Sequence, residues 1–276
     1  MKTPLPDVTA IFSAFILMLC IQTSQAGSAT WKRHPRSGDW NTKTNWTPVT
    51  VPNGPADTAT FGLSNTTAIS ISANTELNGI TFTAAATNPY TITANPTFTL
   101  TLSGAGIVNN SGTTQNVVTA VDASVRAGTI VFSNGATAGS NVSIFNGNGT
   151  INFLNTSTAG GATINDLNFL NDFDPTTNFF NRSTAGNSTI FTDTSSVLFA
   201  NNSTAGSAFI DIHRNSFLRF ANNSTAANSN IGIFYNSNAQ FLDNSTAGSA
   251  SLGLGDNSDL TFGDHSTASS ANLRHS

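Results

Sequence analysis

Residues 199–212 read FANNSTAGSAFIDI, and the phrase returns throughout the second half of the chain. Residues 153–164 read FLNTSTAGGATI, residues 220–233 FANNSTAANSNIGI and residues 241–254 FLDNSTAGSASLGL. Its threonine falls at Thr137, Thr158, Thr184, Thr204, Thr225, Thr246 and Thr267, in steps of 21, 26, 20, 21, 21 and 21 residues. A period in the twenties marks a stack of small units, each too short to bury an apolar face without its neighbours.

A phenylalanine stands five residues before each threonine: Phe132, Phe153, Phe179, Phe199, Phe220, Phe241 and Phe262. Six residues after most of the threonines stands Ile164, Ile190, Ile210, Ile231, Leu252 or Leu273. Both sites belong to period-two patterns, such as Leu218/Phe220 and Ile231/Ile233. Alternate residues of a strand face one side, so each unit supplies two strands with one inward face apiece. Ala159, Ala185, Ala205, Ala226, Ala247 and Ala268 recur between them, where a small side chain suits a bend. Two or three short strands per 21 residues, without helix, predict an all-β, right-handed parallel β-helix. Its coils stack about 4.8 Å apart, Phe on Phe. Leucine-rich repeats need a different order of leucines, and propeller blades need about forty residues.

Composition agrees. Only 9% of the 276 residues are charged, with one glutamate, Glu76, and three lysines. Average chains carry about a quarter, so Ser, Thr and Asn must solvate this surface. The net charge of −4 includes no basic stripe, which argues against a nucleic-acid partner. Residues 10–21 are almost wholly apolar, follow Lys2 and precede Ser24-Gln-Ala26. This predicts a secretory signal peptide over 1–26, cleaved between Ala26 and Gly27, and no transmembrane segment in the mature chain. Cys20, the single cysteine, would leave with it.

Residues 27–65 hold Trp31, Trp40 and Trp46 among several prolines, and read as a non-repeating cap on the first coil. Trp40 and Trp46 are also a candidate glycan platform. Residues 66–130 alternate irregularly and read as divergent coils, and 131–276 as regular repeats truncated at the C-terminus. The 26-residue step places extra residues around Asn171-Asp-Phe-Asp-Pro-Thr176, expected to form a solvated loop. Ser216, just before the strand-like Phe217-Leu218, is expected to face solvent.

SGDWNTKTNWTPVTVPNGPADTATF, then LNGITF, PYTITANPTFTLTLSGAGIVNNSG and the Phe-x-Asn-x-Ser-Thr-Ala-Gly units resemble bacterial autotransporter passenger regions with passenger-associated β-strand repeats. The resemblance covers residues 38–276. It implies a secreted or surface-displayed, structural or adhesin-like solenoid, a host-surface or matrix ligand, and an outer-membrane barrel downstream if the chain is a fragment. The alternative is a secreted β-helix that binds or cleaves glycans.

Catalytic chemistry leaves no pattern. Thirteen aspartates are scattered, and Asp172 with Asp174 make an incomplete Ca²⁺ shell. Asp211, between Ile210 and Ile212, points outward. Asp256 and Asp259 fall in a turn between strands. His34, His213, His265 and His275 lack partners at ligand spacing. No nucleophile elbow or phosphate loop occurs. The expectation is a non-enzyme without metal or cofactor.

Overall fold

A computed structural model describes residues 27–168, 174–255 and 257–275. Among these residues, twelve strands form one sheet and ten form a second. Within the coils the chain passes from one sheet to the other, and each strand pairs in parallel with its counterparts in the coils before and after. In the larger sheet Thr150–Phe153, Thr176–Phe179, Ser196–Phe199, Phe217–Phe220 and Asn238–Phe241 align Phe with Phe. In the smaller sheet Gly161–Leu167, Thr189–Asp193, Phe209–His213, Asn230–Ile233 and Ser251–Leu254 align Ile164, Ile190, Ile210, Ile231 and Leu252. The fold is a parallel β-solenoid with coils of about 21 residues.

The repeated phrase closes a third side. Thr137, Thr158, Thr184, Thr204, Thr225, Thr246 and Thr267 form a ladder of single parallel bridges. Each of its residues has its own task. The serine turns inward: Ser157, Ser183, Ser203, Ser224 and Ser245 are buried. The threonine hydroxyl caps the next turn, as where Thr204 Oγ1 accepts the Gly206 N–H at 3.0 Å. Alanine fills the corner, and Ala159, Ala185, Ala205, Ala226 and Ala247 are wholly buried. The following residue is left-handed: Gly160, Gly186, Gly206 and Gly248 have φ of 62° to 65°, and Ala227 has 52°. Glycine adopts that conformation without a Cβ penalty.

A second left-handed corner follows each phenylalanine by two residues, at Asn134, Asn155, Asn181, Asn201, Asn222, Asp243 and Asp264. Asparagine and aspartate tolerate this region because their short side chains bond locally. Here they also bond vertically. The Asn181 N–H donates to Asn201 Oδ1, Asn201 to Asn222 Oδ1 and Asn222 to Asp243 Oδ2, at 3.0, 3.1 and 2.7 Å.

The phenylalanine column is the spine of the core. From Phe132 to Phe262 successive ring centroids are 4.5–4.9 Å apart and interplanar angles do not exceed 10°. Phe132 through Phe241 are fully buried, whereas Phe262 in the last coil is partly so. Burying a ring this size stabilises the fold by about 1.5–3 kcal/mol.

The 26-residue step keeps register, because Thr150 pairs with Thr176 and Thr163 with Thr189. The extra residues fall between Gly161–Leu167 and Thr176–Phe179, and the loop expected around 171–176 lies partly outside the described residues. Asp172 and Asp256 lie outside the described residues.

At the other end, Ala29–Trp31 and Trp46–Thr47 pair antiparallel and extend the larger sheet beyond Gly54–Phe61. Gly54–Phe61 itself pairs with Thr75–Phe82, so coil architecture begins before residue 66. Trp31, Trp40 and Trp46 pack around Phe61 at centroid distances of 5.6–6.1 Å.

Candidate functional site

Ala26 lies outside the described residues, and Gly27 opens them. Trp40 and Trp46 are not a sugar platform, because both are 0% exposed. Their indole N–H groups are bonded to main-chain carbonyls, Trp40 to Pro52 at 3.1 Å and Trp46 to Trp40 at 2.7 Å. Neither ring has a face left for a ligand. The seven phenylalanines line the interior, and all but the partly buried Phe262 are closed to solvent. Among the described residues, no three His, Cys, Asp or Glu side chains gather as a metal site.

Ser216 also departs from expectation. It is fully buried, its Oγ accepts the Ser195 N–H at 3.2 Å and donates to the His213 carbonyl at 2.5 Å. The coil turns between His213 and Phe217, where the hydroxyl gives the Ser195 N–H an acceptor and adds a second donor to the His213 carbonyl, which also accepts the Thr194 N–H at 3.3 Å.

Aromatic residues do reach the surface, on outward strand positions and in a turn, at places the repeat does not specify. Phe191, Phe209 and Tyr235 are 40%, 40% and 50% exposed. In the smaller sheet, Phe191 is the register partner of Asp211, and Asp211 of Gly232. Phe209 and His213 flank Asp211 along its own strand and share its outward face. Gly232 contributes no side chain, and the Phe234 ring occupies that space. A Cβ at Gly232 would stand 2.5 Å from Phe234 Cε2 and 2.7 Å from Asp211 Oδ1.

Asp211 is thereby surrounded by rings. Phe191 and Phe209 meet edge to face at 6.1 Å, and the His213 ring lies 5.3 Å from both Phe234 and Tyr235. Nε2 of His213 stands 3.1 Å from Asp211 Oδ1, without hydrogen-bond alignment. The aspartate side chain retains 18% exposure. On the adjoining edge Arg214 pairs with Asp193, which takes that cation out of the patch.

A second polar group is buried deep in the coil. Asp166 accepts hydrogen bonds at Oδ1 from Asn146 Nδ2 (2.8 Å) and Thr177 Oγ1 (2.9 Å). Thr119 Oγ1 donates to Asn146 Oδ1 at 2.8 Å, completing a chain across successive coils. Burial pushes the Asp166 carboxyl up to about 7, against these two hydrogen bonds, which lower it. Later coils fill the same inward column with Ile212, Ile233 and Leu254. The network is enclosed and offers no route for a substrate.

The outer face of the larger sheet has a shallow depression of about 400 Å³, lined by Asn178, Ser196, Leu198, Phe217 and Arg219 among others. Arg219 there bonds to Gln240 Oε1 at 3.1 Å. It assembles no acid, base and nucleophile. Comparison with protein-family models, curated proteins and solved structures gives no significant match. The aromatic residues around Asp211 form a second surface feature, on the smaller sheet. Sequence reasoning missed it because Phe191, Phe209 and Phe234 fall at non-repeating positions.

Proposed function

We propose that the chain is a non-catalytic spacer displayed outside the cell, a structural or adhesin-like solenoid of the autotransporter-passenger type. The observation that carries this reading is the uninterrupted phenylalanine stack from Phe132 to Phe262. Most of the repeated residues maintain one cross-section: Phe and Ile fill it, Ser-Thr-Ala-Gly and Asn turn it. A chain so organised gains length and stiffness with each coil, while its outward positions remain free to vary. The leader-like residues 1–26 and the resemblance of residues 38–276 to passenger repeats support export and surface display. No helix in the described residues is long and apolar enough to cross a membrane.

The test is expression of the full chain in a Gram-negative host, followed by fractionation and N-terminal sequencing. Export with a mature terminus at Gly27 is the expected result. Retention in the cytoplasm with residues 1–26 intact would overturn the exported reading. Hydrolysis or lyase turnover of polysaccharides by the purified chain, abolished by a single aspartate substitution, would overturn the non-catalytic one.

A further inference from the structure

We infer that the aromatic ring around Asp211 binds a quaternary ammonium group. The rings of Phe191, Phe209, His213 and Phe234 flank one carboxylate on a flat sheet face. An aromatic face carries negative potential, so rings and carboxylate attract the same charge. Asp211 Oδ1 is buried without a hydrogen-bond donor in line, an arrangement that a nearby cation compensates. A primary ammonium is strongly hydrated and brings three donors, but the patch offers a single carboxylate. A sugar ring needs several polar partners, and this ring of residues holds only Asp211, His213 and, at its edge, Tyr235. An alkylated cation needs neither, since methyl groups pack on the phenyl faces while the charge is balanced by Asp211.

Gly232 makes the arrangement possible. Any side chain there would displace the Phe234 ring from beside Asp211. The equivalent row holds Phe145, Asn165, Gly253 and Arg274 in other coils, so among the described residues of these coils Asp211 is its one carboxylate.

The test is titration of the full chain with choline, followed by amide NMR shifts. The control is 3,3-dimethylbutan-1-ol, which has the same shape without the charge. Saturable shifts at Gly232 and Phe234 are expected, with the alcohol and Asp211→Asn each weakening binding about tenfold. Phe209→Ala, an exposed truncation, should weaken choline similarly while leaving the thermal melt unchanged. Phosphatidylcholine vesicles, assayed by co-sedimentation, distinguish a lipid head group from a soluble amine, and binding to either source supports the assignment. Absence of saturable choline shifts, equal binding of the alcohol, or undiminished binding by folded Asp211→Asn would each overturn it.

Discussion

Phe220 has a ring above and a ring below, Phe199 and Phe241, each 4.7 Å away. Phe220→Ala therefore opens a cavity closed on both sides and should cost about 3–5 kcal/mol. Phe262→Ala should cost clearly less, because Phe262 is only partly buried and stacks on Phe241 from one side alone. Urea denaturation of residues 27–276 reads both, and equal losses would show that the column is not the core. Ser216→Ala serves as a polar comparison. It leaves the Ser195 N–H without its acceptor and the His213 carbonyl with the Thr194 N–H alone, so a loss of about 1–3 kcal/mol is expected. A neutral result would place that hydroxyl in water instead. The phenylalanines were legible from sequence because a 21-residue period and a two-residue alternation coincide on them. Ser216 was not, since a serine beside a strand reads the same whether it solvates a turn or satisfies one from inside.

At the scale of the turn, the left-handed corner after Ser-Thr-Ala sets what may be substituted. Gly206 has φ of 64°, and a Cβ there would lie 2.7 Å from the Gly186 carbonyl oxygen. Ala227 occupies the equivalent place at φ of 52°, so one methyl group is accommodated in this column. Gly206→Ala should thus cost about 1 kcal/mol and Gly206→Val clearly more, because a β-branched side chain is an outlier at positive φ. Paired thermal melts test the order, and equal melting temperatures for the two variants would contradict it. The sequence indicated that a turn stood here, through its glycines. It did not indicate that Thr would form a bridge ladder, because a single bridged residue per coil is too short for alternation to reveal. The outward aromatic ring was hidden for a related reason: Phe191, Phe209 and Phe234 became neighbours of Asp211 only once the register was fixed. Trp40 and Trp46 left both a cap and a platform open, since tryptophan enrichment is equally the mark of an exposed platform and of a plug under a sheet end, and their burial around Phe61 fits the cap.

Across the whole molecule, stability should carry the signature of Asp166. Its folded-state pKa is raised from 3.8 to about 7, so between these values the folded chain holds a proton that the unfolded chain has lost. Stability from this group is therefore full below about pH 4 and declines as pH rises through about 7, by at most about 1.4 kcal/mol per unit. Asp166→Asn should flatten that part of the profile while keeping an oxygen to accept from Asn146 and Thr177. Urea midpoints across this range measure it, and an unchanged slope in the variant would place the pH dependence elsewhere. The parallel register from Thr137 to Thr267 has a consequence for heredity as well as for folding. Insertion or loss of one whole repeat unit adds or removes a rung while the rungs on either side still match. Length can then drift by about 4.8 Å at a time without any lineage passing through a misfolded intermediate.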